Sequence, residues 1–174
     1  MKYLVKIFVV TFLAFVCTHV SAEQKIAYMD MKFILNNSKA GKNAQSYLQK
    51  TFKDKQKQFG DMEAALKKEE SDLLGKRTVM NKEEYQKKTD DLRKKVIDYQ
   101  SKRRTALEKI TKQRADARKK LLEKLDPILN TYIKENNISL ILDKKDVIMG
   151  STALDITNII VEKLNKELPS LNLK

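Results

Sequence analysis

Covalent or metal chemistry needs nucleophiles, bases or soft ligands, and in this chain they sit at one end. Cys17 is the only cysteine and His19 the only histidine among 174 residues. Both fall in a segment with the layout of a secretory signal. Lys2 and Lys6 lead, an apolar run from Ile7 to Cys17 is relieved only by Thr11, and Val20-Ser21-Ala22 offers a cleavage site before Glu23. The run is too short to span a membrane, which takes roughly 20 apolar residues. Bulky Val16 before Cys17 is wrong for lipoprotein cleavage. Cleavage after Ala22 leaves a chain of 152 residues without Cys, His or Trp. Such a chain has no thiolate, imidazole base, disulfide or Cys/His zinc site. Carboxylates remain, but an enzyme built on them alone must pair them in a cleft. The glycines stand singly at 41, 60, 75 and 150, so no glycine-rich phosphate loop exists. The reading is a protein that is not an enzyme and uses neither cofactor nor metal.

The chemistry that does stand out is charge. Residues 42–125 hold 25 basic and 14 acidic residues, net +11, whereas 23–41 and 126–174 together hold nine of each. The stretch 100–124 is densest, with 10 basic residues against 3 acidic. A solvated helix face explains abundant charge of both signs but not a one-sided excess. An anionic partner or surface is therefore weighed beside the plain solvated helix.

Three zones must position this charge. Lys25 to Asp30 reads as a short strand, and Met31 to Leu35 as the start of a helical turn. Residues 38–134 are rich in Lys, Glu, Gln, Leu and Ala, which favour helix. Leu73-Leu74-Gly75 signals a helix end, and Asn81 with Glu84 three residues on signals a new start. The zone therefore folds into helices over about 38–74 and 81–134, with a tip near 75–80. Phe52, Phe59, Leu66 and Leu73 share one heptad position and Leu48 and Met62 the other, with Lys55 and Glu69 as interruptions. On the return helix, Val96, Ile110 and Ala117 share one heptad position and Tyr85, Leu92, Tyr99 and Ala106 the other, with Thr89 and Arg103 as interruptions. This is a coiled-coil hairpin with a thin seam. Spacing shifts to four at Ala117, Leu121 and Leu125, where the arm meets a body, and Pro127 suggests a restart or a kink there. Ile138 to Asp143 reads as a buried strand, Val147 to Gly150 as its hairpin partner across Lys144-Lys145-Asp146, and Asp155 as the cap of a last helix.

The fold expected is α+β, mostly α: a helical-hairpin arm over 38–125 on a small β-rich body made of 23–37 and 126–174. That body is marginal by itself. Ile26, Tyr28, Leu140, Leu142, Val147 and Ile148 are its candidates for burial between copies in a homo-oligomer. Near the tip, Met62, Val79, Met80 and Tyr85 are candidate contacts for varied apolar partners, the alternative being ordinary packing. Lys102, Arg103 and Arg104 are the candidate basic contacts.

Several segments together resemble the Skp/OmpH-like periplasmic chaperones. They are Lys25-Ile26-Ala27-Tyr28-Met29-Asp30-Met31, Asn37 to Lys42, Ile141 to Lys145, and Ala153-Leu154-Asp155-Ile156-Thr157. The resemblance implies a jellyfish-like homotrimer whose arms hold unfolded outer-membrane β-barrel proteins in the periplasm without ATP. It also implies a lipopolysaccharide contact through basic residues of the arms, where this sequence has no cluster that matches the family's. Two rivals stand beside this reading: a structural coiled coil, and an envelope protein that binds anionic polymer or lipid. Nucleic acid is not expected, since the chain has a secretory signal and no groove-reading motif.

Overall fold

The computed structural model describes residues 25–173. The segment read as a secretory signal, with Cys17 and His19, lies outside the described residues. The chain runs through β1 (Lys25–Met29), α1 (Met31–Asn37), α2 (Lys39–Gly75), α3 (Lys82–Glu135), β2 (Ile138–Asp143) and α4 (Thr157–Glu167). Short 3-10 turns at Lys144–Asp146 and Thr152–Leu154 lie between β2 and α4. The long helices α2 and α3 pack antiparallel as an arm, and the remaining elements form the body at its base.

Local chemistry explains where each helix begins. Asp30 caps α1 by accepting from the Phe33 N–H at 2.7 Å. Ser38 then serves two helices, because its N–H donates to the Ile34 carbonyl while its hydroxyl accepts from the Gly41 N–H at 3.2 Å. A side chain at Gly41 would place its Cβ 1.9 Å from the Leu35 carbonyl oxygen, so only glycine lets α2 start this close to α1. At the tip, Asn81 accepts from the Glu84 N–H at 2.8 Å, as the capping pattern predicts. Gly75 marks the stop differently from expectation. It is the last helical residue and not a left-handed cap, and the chain turns through Lys76 N–H to Leu73 O and Arg77 N–H to Leu74 O, both 3.2 Å. A left-handed residue closes α3 instead, Asn137 with φ 52°.

Two outcomes stand out in the body. First, the helix expected over 81–134 is α3, which runs through Pro127 to Glu135, so of the two readings of Pro127 the restart does not occur. Leu125 and Ile128 are buried on either side of the proline, so packing outweighs the lost backbone hydrogen bond. Second, Val147 to Gly150 is not a strand, and the hairpin with β2 does not form. β2 pairs in parallel with β1 instead, with Ile26 opposite Leu140 and Tyr28 opposite Leu142. The residues on either side of Val147 to Gly150 are held in 3-10 turns, where Asp143 accepts from the Lys145 N–H and Ser151 from the Ala153 N–H. The other side of β1 meets Asp155 through a single bridge, and the Ile156 N–H donates to the Tyr28 carbonyl at 3.0 Å.

The protomer core lies where α3 passes the body. Ile34, Leu125, Ile160 and Leu164 are fully buried, joined by Ala117 and Leu121 at the predicted four-residue spacing. Each large side chain there contributes about 1.5–3 kcal/mol by leaving water. Asp155 helps start α4, accepting from the Thr157 N–H at 3.0 Å although Ile156 is the geometric cap.

Candidate functional site

The arm is the candidate site, and its seam is as thin as the heptads imply. Leu48, Phe59 and Leu73 on α2 and Leu92, Tyr99 and Ile110 on α3 are buried. Phe59 and Tyr99 meet edge to face with ring centroids 6.1 Å apart. Polar groups supplement the apolar ones. The Tyr99 hydroxyl donates to Glu63 at 3.2 Å, and Lys95 bridges to Glu69 at 2.5 Å across the helices. The interruption at Glu69 is therefore an ion-pair position of the seam. Lys67 hydrogen-bonds Glu63 and attracts its charge, and with Tyr99 it holds that carboxyl below its ordinary range. Thr89 turns inward onto the Tyr85 carbonyl, and Arg103 is exposed.

The four proposed apolar contacts are not one cluster. Val79 is 80% exposed in the tip turn, with Met80 and Tyr85 half-buried beside it. Met62 is half-buried but about 20 Å down the arm from Gly75, so it does not join them. Phe52, expected in the seam from its heptad position, is instead 43% exposed, because the thin seam closes on Leu48 and Phe59 to either side of it. Leu74, Ile97 and Leu107 are exposed on the arm as well. Ile97 carried a signal, since it follows the seam residue Val96 and falls off the heptad register. Of the basic trio, Arg103 and Arg104 line a shallow groove with Leu107, while Lys102 pairs with Asp98 at 2.6 Å.

In the body, the side of the sheet facing away from the core is apolar. Ala27 and Met29 face inward, whereas Ile26, Leu140 and Leu142 remain 42%, 49% and 38% exposed. Beside them Ile148 and Met149 are almost wholly exposed. Tyr28 is the exception among the proposed interface residues, because its own chain buries it. Its hydroxyl donates to the Ser151 carbonyl at 3.1 Å, and Lys144 lies over its ring. Val147 is half-buried. Lys144 also pairs with Asp155 at 2.7 Å. Burial pushes the Asp155 carboxyl up, but Lys144 and Thr157 outweigh it and hold the group below its ordinary value.

Residues 25–164 match the family model described as outer membrane protein (OmpH-like). The chain belongs to the OmpH-like family. A Skp-like protein of Pseudomonas aeruginosa is 25% identical over 145 residues, spanning 83% of this chain and 86% of the relative. A solved OmpH-like chain of Caulobacter crescentus, named as a candidate outer membrane chaperone, superposes with a TM-score of 0.80. That match covers 90% of this chain and 93% of the other at 19% identity, and it establishes the shared fold. The long-helix architecture around a small sheet is thus that of the OmpH-like family.

Proposed function

We propose that this OmpH-like chain is an ATP-independent holdase chaperone of the periplasm, reached through the cleaved segment 1–22. It holds unfolded outer-membrane proteins for insertion. The observation that carries the reading is an arm with dispersed, exposed apolar groups in a strongly charged frame. Phe52, Leu74, Val79, Ile97 and Leu107 offer separated contacts of moderate size and not one shaped pocket. Such a surface suits many weakly bound sequences better than one ligand. Val79, Met80 and Tyr85 would contact clients near the tip, Met62 lower on the arm, and Lys102, Arg103 and Arg104 would add charge attraction.

The working form is a homotrimer. Parallel sheets are ordinarily covered on both faces, and here Ile26, Leu140 and Leu142 leave one face bare, with Ile148 exposed in the loop that follows. Copies packed through that face would cover it and set three arms around a shared space. The decisive test dilutes a urea-denatured β-barrel protein with and without the chain from Glu23 onward and follows light scattering. Suppressed aggregation at near-stoichiometric protein supports the holdase. Unchanged scattering would favour a structural coiled coil, and binding to lipopolysaccharide or anionic vesicles without suppression would favour an envelope-surface protein.

A further inference from the structure

The excess charge of the arm is confined to one half of it. The Phe59–Tyr99 ring contact pins the two helices together and divides the arm. Beyond it, residues 61–99 carry 10 basic and 10 acidic residues. Between it and the body, residues 42–60 and 100–125 carry 15 basic and 4 acidic residues. The whole net charge of +11 therefore sits at the base, contributed by both helices.

Pairing sharpens the contrast. In the outer half the acids equal the bases in number, and four of the ten cations are paired: Lys67 with Glu63 at 2.8 Å, Lys88 with Glu84 at 3.1 Å, Lys94 with Asp91 at 3.7 Å and Lys95 with Glu69 at 2.5 Å. At the base of α3, Arg104, Lys112 and Lys119 already take up Glu108, Asp116 and Glu123. Lys42 and Lys50 on α2 and Lys109, Arg114, Arg118 and Lys120 on α3 are exposed and make no ion pair among the described residues. Exposed Phe52 and Leu107 stand among these cations.

We propose that this base region is a docking surface for acidic segments of unfolded polypeptide, and that the outer half contributes little charge selection. The inference rests on the holdase reading and locates its electrostatic part. Geometry favours a flexible chain over a membrane. A flat surface meeting the arm end-on touches the neutral half first, and that half extends about 25 Å, more than two Debye lengths at about 0.1 M salt. An unfolded chain can thread to the base and lay apolar residues on Phe52 and Leu107 while its carboxylates meet the cations.

The test compares variants of the chain from Glu23 onward that lose four exposed cations each. The base variant is Lys109→Gln, Arg114→Gln, Arg118→Gln and Lys120→Gln. The outer variant is Lys68→Gln, Arg77→Gln, Lys87→Gln and Arg93→Gln. A second base variant, Lys42→Gln, Lys50→Gln, Lys53→Gln and Lys57→Gln, lies on α2 alone and serves if the first loses helicity. The probes are a fluorescent glutamate-rich peptide that stays unfolded and phosphatidylglycerol vesicles. Either base variant should weaken peptide binding about tenfold or more at low salt and flatten its salt dependence, the outer variant by less than about twofold. Equal losses from base and outer variants would overturn the inference. So would loss of vesicle binding alone with peptide binding intact, which would assign the base to lipid phosphate. Aggregation of a denatured β-barrel protein separates the two levels. Wild-type protein that fails to suppress it sinks the holdase reading. Wild-type protein that suppresses it, with base and outer variants equally impaired, sinks only the location proposed here.

Discussion

Leu142→Asp tests whether a protomer that folds alone assembles through the bare face of its sheet. Leu142 lies next to the end of β2 on the bare face of the sheet, opposite Tyr28, and is 38% exposed. Within one protomer the substitution forfeits only part of a leucine's burial, about 1–2 kcal/mol of the 1.5–3 for a fully buried one. The fully buried residues Ile34, Leu125, Ile160 and Leu164 come from α1, α3 and α4 and do not include it. Helical content should therefore survive. Assembly should not. If neighbouring copies cover this face, each chain buries a carboxylate without a partner, at several kcal/mol. Taking about 3 kcal/mol per chain, a trimer loses about 9 kcal/mol, or roughly six powers of ten in its assembly constant. Sedimentation velocity over a dilution series, with far-ultraviolet circular dichroism on the same samples, measures both quantities. The expected variant is a helical monomer at concentrations where the wild type is fully assembled. Assembly indistinguishable from wild type would refute the assignment of this face. Loss of helix at every concentration would refute the independence of the protomer core.

Two further outcomes follow from the site geometry. Met62→Ser with Met80→Ser removes apolar contact from two separate levels of the arm without changing charge. Stopped-flow release of a labelled unfolded client should quicken by several-fold while capture stays nearly constant. Asp155 is held below its ordinary value of 3.8, so it stabilises the body fully above that value and stops doing so as pH falls through its folded one. Asp155→Asn should therefore lower the melting temperature at pH 7, and the gap to wild type should narrow near pH 3. A gap that is the same at both pH values would show that the carboxylate charge is not what ties α4 to Lys144.

The long helices were readable from the sequence because their signals are local. The Asn81 cap, the Ala117-Leu121-Leu125 spacing and the Phe59 and Tyr99 heptad positions all act within a few residues, and each appears where the pattern puts it. The body was harder, because its pairing is non-local. β1 and β2 are separated by the entire arm, and neither strand's composition says whether it pairs in parallel with a distant strand or with a near hairpin partner. Val147 to Gly150 looked like that partner because an exposed apolar pair, Ile148-Met149, mimics strand composition. What rules out the strand is the pair of small polar turns on either side, at Asp143 and Ser151. The site was half readable. Net charge can be counted in sequence, but its confinement to the base emerges only when residues 42–60 and 100–125 are brought side by side.

The same geometry links holding to assembly. An arm exposes Phe52, Leu74, Val79, Ile97 and Leu107, each about half accessible or more. Covering the open part of one such side chain is worth about 1 kcal/mol, so a client touching all five gains about 5 kcal/mol. Tethering it costs at least about 4 kcal/mol in lost freedom before any ordering of the chain. With about 1 kcal/mol or less left over, a single arm is a poor holder, about a hundredfold or more weaker than millimolar. In the proposed trimer, three arms on one body would change the outcome, because a client held by one would meet the next at high effective concentration and multiply its affinity without new chemistry. The assembly-deficient Leu142→Asp protein therefore carries an unaltered arm and should still hold clients at least about a hundredfold more weakly per arm than the wild type. Equal holding per arm by the monomeric variant would mean that one arm suffices, and the shared space between copies would then have no part in the mechanism.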